Sequence, residues 1–281
     1  MRKKHLGLQL LFCGLLLLLL LPIIMTMIYS LCSQEEIKAF LQTSGRYQGG
    51  LMEIKLIPRM FSMAQYWDFL IASPATLRFY MISIILTAVI LLGQLMIVPA
   101  TAYGLSRFRF PGRDMLAMII VALLLLPFQV TMVPTVLMLR KMNMLDTAWA
   151  MILPNLASPL YIFLLRQAML TIPNELFEAG QLDGAGTIRC YFHVALPVSR
   201  SMLGAFLALS FADCWNMIEQ PMVFLPTNQQ LQPLSVVFRD LSEGQLGSCF
   251  AGAALYLVPA LMVYLFFQEG IISGIQLSGL K

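Results

Sequence analysis

The sequence predicts an all-α, polytopic membrane protein with six transmembrane helices and both termini on the cytoplasmic side. Two observations carry that prediction. Apolar residues make up 59% of the 281-residue chain and charged residues only 11%, against roughly 25% charged in a soluble domain. So few charges cannot cover a water-facing surface, and the bilayer is the solvent that accepts such a chain. The apolar residues also gather into runs of about 20, the length that crosses about 30 Å of hydrocarbon.

The first run, about 6–31, follows Arg2, Lys3 and Lys4. It is too long for a signal peptide and ends in no small-x-small cleavage site, so an uncleaved first helix is expected. The stretch 32–74 holds Gln34, Glu35, Glu36, Gly49 and Gly50 and reads as an outer loop, with Tyr66-Trp67-Asp68-Phe69 at the interface. Further spans are expected at 75–105, 115–139, 148–165, 201–218 and 249–267, with a polar segment at 171–197 and a second outer loop at 219–248. Pro127, Pro134, Pro154 and Pro159 fall inside predicted spans, where neighbouring helices can satisfy the freed carbonyls. All of this reads as one transmembrane domain, 1–281.

Orientation follows from basic residues. Placing the N-terminus inside puts Arg2, Lys3 and Lys4, then Arg107, Arg109 and Arg113, on the cytoplasmic side; Arg140-Lys141 argues the other way. A net charge of +4 without a basic stripe gives no support to nucleic-acid binding. The five cysteines, Cys13, Cys32, Cys190, Cys214 and Cys249, form no CxxC pair and meet no histidine cluster, so neither a metal nor a redox site is expected. Cys32 and Cys249 can both face outward, but a disulfide between them is not the expected state. No GxxxxGK[ST], HExxH or Ser-His-Asp pattern is present, so the chain is not expected to be an enzyme.

The polar segment 171–197 is patterned. Pro173 suits a first helical turn. Glu175 and Glu178 favour a helix N-terminal end, and Gly184 and Gly186 end the helix. Ile188, Tyr191, Phe192 and Ala195 then recur at i, i+3, i+4 and i+7, an amphipathic period. The segment Glu178-Ala179-Gly180, then Gly184, then Val194-Ala195-Leu196-Pro197 resembles the Glu-Ala-Ala…Gly…Ile-x-Leu-Pro pattern of permease subunits of ABC-type importers. Gly180 stands where that pattern has Ala, which should loosen the helix by roughly 1 kcal/mol; Val194 stands where it has Ile. Ala102 to Gly112, Ile172 to Leu176, Asp183 to Ala185, and Trp215-Asn216 with Pro221 are similar to the sugar-importer branch, specifically its maltose-type second permease.

The resemblance implies an importer-permease fold in which this segment is a coupling helix. Glu178, Ala179, Gly180, Asp183, Gly184 and Ala185 would touch a cytoplasmic ATPase subunit, with Glu178 facing a basic partner. It also implies the other partners: a second homologous permease, two ATPase subunits carrying ATP and magnesium, and an extracytoplasmic solute-binding protein met by the loop 219–248. The transported solute would be a sugar or oligosaccharide. This chain itself would bind no cofactor. Asp213, Trp215 and Asn216, polar or amphipathic groups near the end of the fifth span, are candidates for the translocation path or outer gate. Interface contact with water or head groups is an equal reading for them. Gln94 and Gln129 are expected to bridge helices, and His193 to be a surface residue. An amino-acid or phosphate permease of the same superfamily and an ion-coupled secondary transporter are the alternatives; the latter predicts buried carboxylates at mid-membrane.

Overall fold

The computed structural model describes residues 2–37, 60–238 and 246–279. Every regular element among them is helical. The helices of nine residues or more are α1 (Arg2–Ser30), α2 (Pro74–Arg107), α3 (Arg113–Leu124), α4 (Phe128–Lys141), α5 (Pro159–Leu170), α6 (Asn174–Leu182), α7 (Arg200–Trp215) and α8 (Leu246–Gly279). Residues 38–59 of the expected outer loop 32–74, 239–245 of the loop 219–248 and the end of the tail lie outside the described residues.

Four stretches are long and apolar enough to cross a membrane: Leu11–Ser30, Pro74–Arg107, Ala148–Leu170 and Gly247–Gln268. Two bent pairs qualify as further spans if each pair counts once, α3 with α4 at 108° and Thr187–Val198 with α7 at 76°. The single run expected at 115–139 is therefore two helices. Leu125 and Leu126 close α3 with tight bonds to the carbonyls of Ala122 and Leu123, both 3.2 Å. Pro127 then takes an extended ψ of 148°, and without an N–H it cannot continue the ladder. The prolines at 22, 99, 134 and 259 remain inside helices.

Packing divides the chain into two units, Met1–Arg78 with Phe238–Pro259, and Phe79–Val237 with Ala260–Lys281. Arg78 lies inside the apolar helix α2, so no turn or linker in the sequence marks that boundary. In the first unit Tyr29, Cys32 and Ile37 form a small core with Met25 and Phe250 against it. The hydroxyls of Ser30 and Tyr66 share a 2.7 Å hydrogen bond, and Gln65 donates to the Cys32 carbonyl. Of the expected interface residues, Trp67 is exposed while Phe69 is buried. All five cysteines are free thiols, Cys32 donating to the Ile28 carbonyl at 3.5 Å.

The second unit holds two cores. One gathers Val98, Ala102, Tyr103 and Leu105 of α2, Tyr161, Leu165 and Met169 of α5, and Phe177, Cys190 and Phe206. The other gathers Leu86, Ile90, Leu139, Met151, Cys214 and Phe224. Large apolar side chains on α1, α3 and α4 stay exposed, including Leu18, Met118 and Met138, as expected of surfaces solvated by lipid rather than water. A turn joins α2 to α3: the Arg113 amide donates to the Phe110 carbonyl at 3.3 Å, with Gly112 at φ 87°. Pro111 before a left-handed glycine makes this a type II turn.

Candidate functional site

The site grows from α6. Pro173, at φ −56° and ψ 141°, stands just before the helix rather than inside its first turn. Glu175 lies in that first turn, where a carboxylate faces the positive end of the helix dipole. At the other end the Gly184 amide donates to the Gln181 carbonyl at 2.9 Å, and the Ala185 amide to the Gly180 carbonyl at 2.8 Å. Gly184 has φ 78°. The paired bonds around a left-handed glycine are a Schellman stop. Gly184 thus ends the helix as the sequence predicts, and the chain turns back through Gly186 into Thr187–Cys190.

Beyond that turn the amphipathic stripe divides. Cys190 and Ala195 are buried and Tyr191 and Val194 pack against the core, whereas Ile188 and Phe192 are exposed. A π-helical turn over Tyr191–Ala195 inserts a residue into the helical period within this stretch. Gly186, Thr187, Ile188, Arg189, Phe192 and His193 line a shallow open groove. Its apolar members Ile188 and Phe192 are exposed, as is Leu182 at the end of α6, which is 89% exposed. His193 hydrogen-bonds the Arg189 carbonyl at 3.1 Å, an intrahelical surface contact.

The predicted contact residues are divided between this face and the seam with Cys190 and Val194, against which Gly180 is set. Glu178, Ala179, Asp183 and Gly184 are exposed, and Gly180 and Ala185 half-buried. The Glu178 carboxylate has no hydrogen-bond or ion-pair partner among the described residues. An exposed helix of nine residues, with small side chains at 179 and 180 and a free carboxylate at 178, can accept a partner surface at close range.

What holds this helix was not among the candidates read from sequence. The Arg107 guanidinium, at the end of α2, donates to the Asn174 side-chain oxygen at 2.7 Å and to the carbonyls of Ile172, at 2.7 Å, and Met169. It also lies over the Phe177 ring, 4.1 Å from its centroid, a cation–π distance. Tyr103, one turn back on α2, packs on Phe177 and Tyr191 with ring centroids 6.3 and 5.2 Å away, and its hydroxyl reaches the Thr187 carbonyl at 3.3 Å. In the sequence Arg107 counted towards the charge of an inner loop and stood within the segment Ala102 to Gly112 that resembles the sugar-importer branch, with no partner assigned to it.

The second group of candidates separates. Asp213 is exposed and accepts a hydrogen bond from the Tyr161 hydroxyl, joining α7 to α5. Trp215 is 2% exposed, stacked on Phe211 at 5.4 Å and edge-on to Tyr80; it is a packing residue of its unit. Asn216 is exposed and caps α7 by donating to the Ala212 carbonyl at 3.0 Å. Nearby, Gln94 is buried, donates to the Asn155 carbonyl at 2.6 Å and accepts from the Ser210 hydroxyl. Gln129 donates to Glu219 at 3.1 Å. Both glutamines thus bridge elements. Among the described residues no group of His, Cys, Asp or Glu is arranged to hold a metal.

Known proteins share this architecture. A solved structure of a bacterial ABC transporter involved in the import of the acidic polysaccharide alginate superposes with a TM-score of 0.80, covering 95% of this chain and 96% of that one at 22% identity. The sn-glycerol-3-phosphate transport system permease protein UgpE of Yersinia enterocolitica is 31% identical over 198 residues, 69% of this chain and 70% of that protein. The arabinooligosaccharides transport system permease protein AraQ of Halalkalibacterium halodurans is 28% identical over 201 residues, 71% of this chain and 72% of that one. The model of the binding-protein-dependent transport system inner membrane component family matches residues 100–275. That stretch takes in the end of α2, the Arg107 contacts, α6 and the polar bridges around Ser210, so the chain belongs to the family of binding-protein-dependent transport system inner membrane components, the permease subunits of ABC importers.

Proposed function

We propose that this chain is one of two permease subunits in an ATP-driven importer for sugars or oligosaccharides, resident in a bacterial cytoplasmic membrane. In this reading each bent pair crosses as one span, giving six spans with both termini cytoplasmic. The segment 171–197 faces the cytoplasm and seats α6 in a groove of an ATPase subunit. ATP and magnesium act on the two ATPase subunits. This chain binds neither, and converts their closure into alternating access by favouring one arrangement of its helices over another. It forms half of the path, with a second permease forming the rest, and Asp213, Trp215 and Asn216 are its candidate path or outer-gate residues, of which Asp213 and Asn216 are exposed. A solute-binding protein docks on the outer side.

One observation carries the reading: α6 is exposed on its small-residue and apolar outer face and anchored on its inner face by Phe177 and Arg107. That is the build of a lever, with a free surface for a partner and a firm hold on the membrane helices. A second solute class is favoured by a specific likeness, since the relative at 31% identity is named for glycerol-3-phosphate. A phosphorylated polyol is therefore the alternative cargo for the same machinery.

The test is a crosslink. With the native cysteines replaced, a cysteine at Ala179 should couple to the groove of a co-expressed ATPase subunit, with a yield that ATP changes. An intact complex that gives no crosslink would remove the coupling role from this segment and bring an ion-coupled mechanism forward.

A further inference from the structure

The covalent path from α6 back to α2 runs through 67 residues, so any force passing directly between them crosses side-chain contacts. Arg107 sits at that crossing. Its planar fork serves three elements at once: the terminal carbonyls of α5 at Met169, the turn at Ile172, and the first residue of α6, Asn174. Carbonyls at a helix C-terminus lack intrahelical partners and attract a cation. The face of the guanidinium is closed by Phe177, itself buried.

The other end of the route is also on α2. Gln94 lies thirteen residues before Arg107, about 20 Å along the helix. It bonds the Asn155 carbonyl and the Ser210 hydroxyl of α7. Ser210 is less than one turn from Asp213. A displacement of α6 that carried α2 with it would therefore reach the polar groups beside the candidate path.

We propose that Arg107 is a positioning residue for energy coupling: through Asn174 and Phe177 it locks α6 to α2, so that the two move as one body when the ATPase subunits close. This rests on the importer reading above and adds to it the residue that transmits the motion. Lysine cannot replace it, because a point charge on a flexible stem provides neither the fork nor the flat face.

The experiment uses the complete transporter, with spin labels on cysteines at Gln181 of α6 and Met96 of α2, both exposed, and AMP-PNP with magnesium as the nucleotide. In the otherwise unaltered chain the distance between the labels should stay constant on adding nucleotide, while the Met96 label changes its population. In Arg107→Lys and Arg107→Ala the nucleotide should shift or broaden that distance. The Met96 response should fall roughly tenfold, within the usual range of a coupling free energy. Asn174→Ala and Phe177→Leu should act in the same direction with smaller effect, and they carry the test if Arg107→Ala does not assemble. A residue that only stabilises the fold would lower the melting temperature and leave the nucleotide response intact. That result in an assembled Arg107→Lys transporter would overturn the proposal. Failure of the importer reading is seen separately, as loss of the Ala179 crosslink in a chain that retains Arg107.

Discussion

At Gly184 the backbone is left-handed, at φ 78°, and a Cβ there has open space but the wrong torsion. Gly184→Ala should therefore cost about 1 kcal/mol through the backbone alone, read as a lower melting temperature of the purified transporter. Gly180 is the opposite case. It is mid-helix, and an added Cβ would meet Cys190 Sγ at 3.5 Å and Ala185 and Val194 at 3.9 Å, ordinary contacts. Gly180→Ala should stabilise by up to about 1 kcal/mol; a lower melting temperature would show that the contact with Cys190 cannot relax. Asp146 offers a third test. Its carboxylate accepts the amides of Thr227 at 2.9 Å and Asn228 at 3.1 Å, while its own amide donates to the Phe224 carbonyl at 3.0 Å. The Thr227 amide first, and Asn228 after it, hold the Asp146 carboxyl below the ordinary carboxylate range. A depressed folded pKa adds stability that is present above the unfolded pKa and is lost as pH falls through the folded one. Hydrogen exchange at the Thr227 amide should accordingly accelerate on the acid side of the usual aspartate range. Asp146→Asn should keep the acceptor, tolerate the φ of 62° and remove the pH dependence, at a cost near 1 kcal/mol or less at neutral pH given partial exposure. An unchanged acid profile in Asp146→Asn would assign the dependence to another group.

Elements show what could and could not be read in advance. The long apolar runs of α1, α2 and α8, and the Gly184 stop of α6, were legible because each is a local signal: hydropathy over 20 residues, or one glycine after a helix. The break between α3 and α4 was not. Pro127 and Pro134 carry the same local signal, yet one ends a helix and the other sits inside it, because only Pro127 follows a turn already closed by Leu125 and Leu126. The π-helical turn at Tyr191–Ala195 was hidden for the same reason, since the i, i+3, i+4, i+7 pattern assumes an unbroken period. Gln94 was expected to bridge helices, but which groups it and Arg107 meet was out of reach, because their partners lie 61 and 116 residues away for Gln94 and 62 to 67 for Arg107. Gln94 gives the test proper to this scale. It joins α2, the turn at Leu153–Asn155 and α7 by satisfying the carbonyl of half-buried Asn155 and the hydroxyl of buried Ser210. Gln94→Leu leaves the Asn155 carbonyl and the Ser210 hydroxyl short of a partner and should cost about 2 kcal/mol. The double change with Ser210→Ala should recover part of that, because one stranded group is removed with its partner. Melting temperatures of Gln94→Leu, Ser210→Ala and the double variant decide it, and additive losses would mean that the two side chains do not interact.

The whole molecule turns on how many times the chain crosses the bilayer. Four stretches are long and apolar enough to cross, and the count rises to six if the α3–α4 and 187–215 pairs each count as one span. The alternative for a bent pair is a re-entrant loop that returns to the side it entered. The two cases differ in parity, which labelling can read. Gly112, before α3, and Asn143, after α4, bracket the first pair. If that pair crosses, single cysteines at these two positions, in a chain without its native cysteines, react with an impermeant maleimide from opposite faces of the membrane. If it re-enters, they react from the same face. Arg107, Arg109 and Arg113 favour the inside for Gly112, which leaves the basic pair Arg140-Lys141 on the outer side against the positive-inside tendency. A crossing pair makes that pair an accepted exception. It also puts the Asp146 contacts with Thr227 and Asn228 on the outer face, opposite α6. Cysteines at Gly112 and at Gly186 should then label together from the cytoplasmic side, and Asn143 from the other. Labelling of Gly112 and Asn143 from one face would reduce the count, put Asp146 on the side of Gly112 with α6 across the span Ala148–Leu170 on the other, and sink the six-span arrangement.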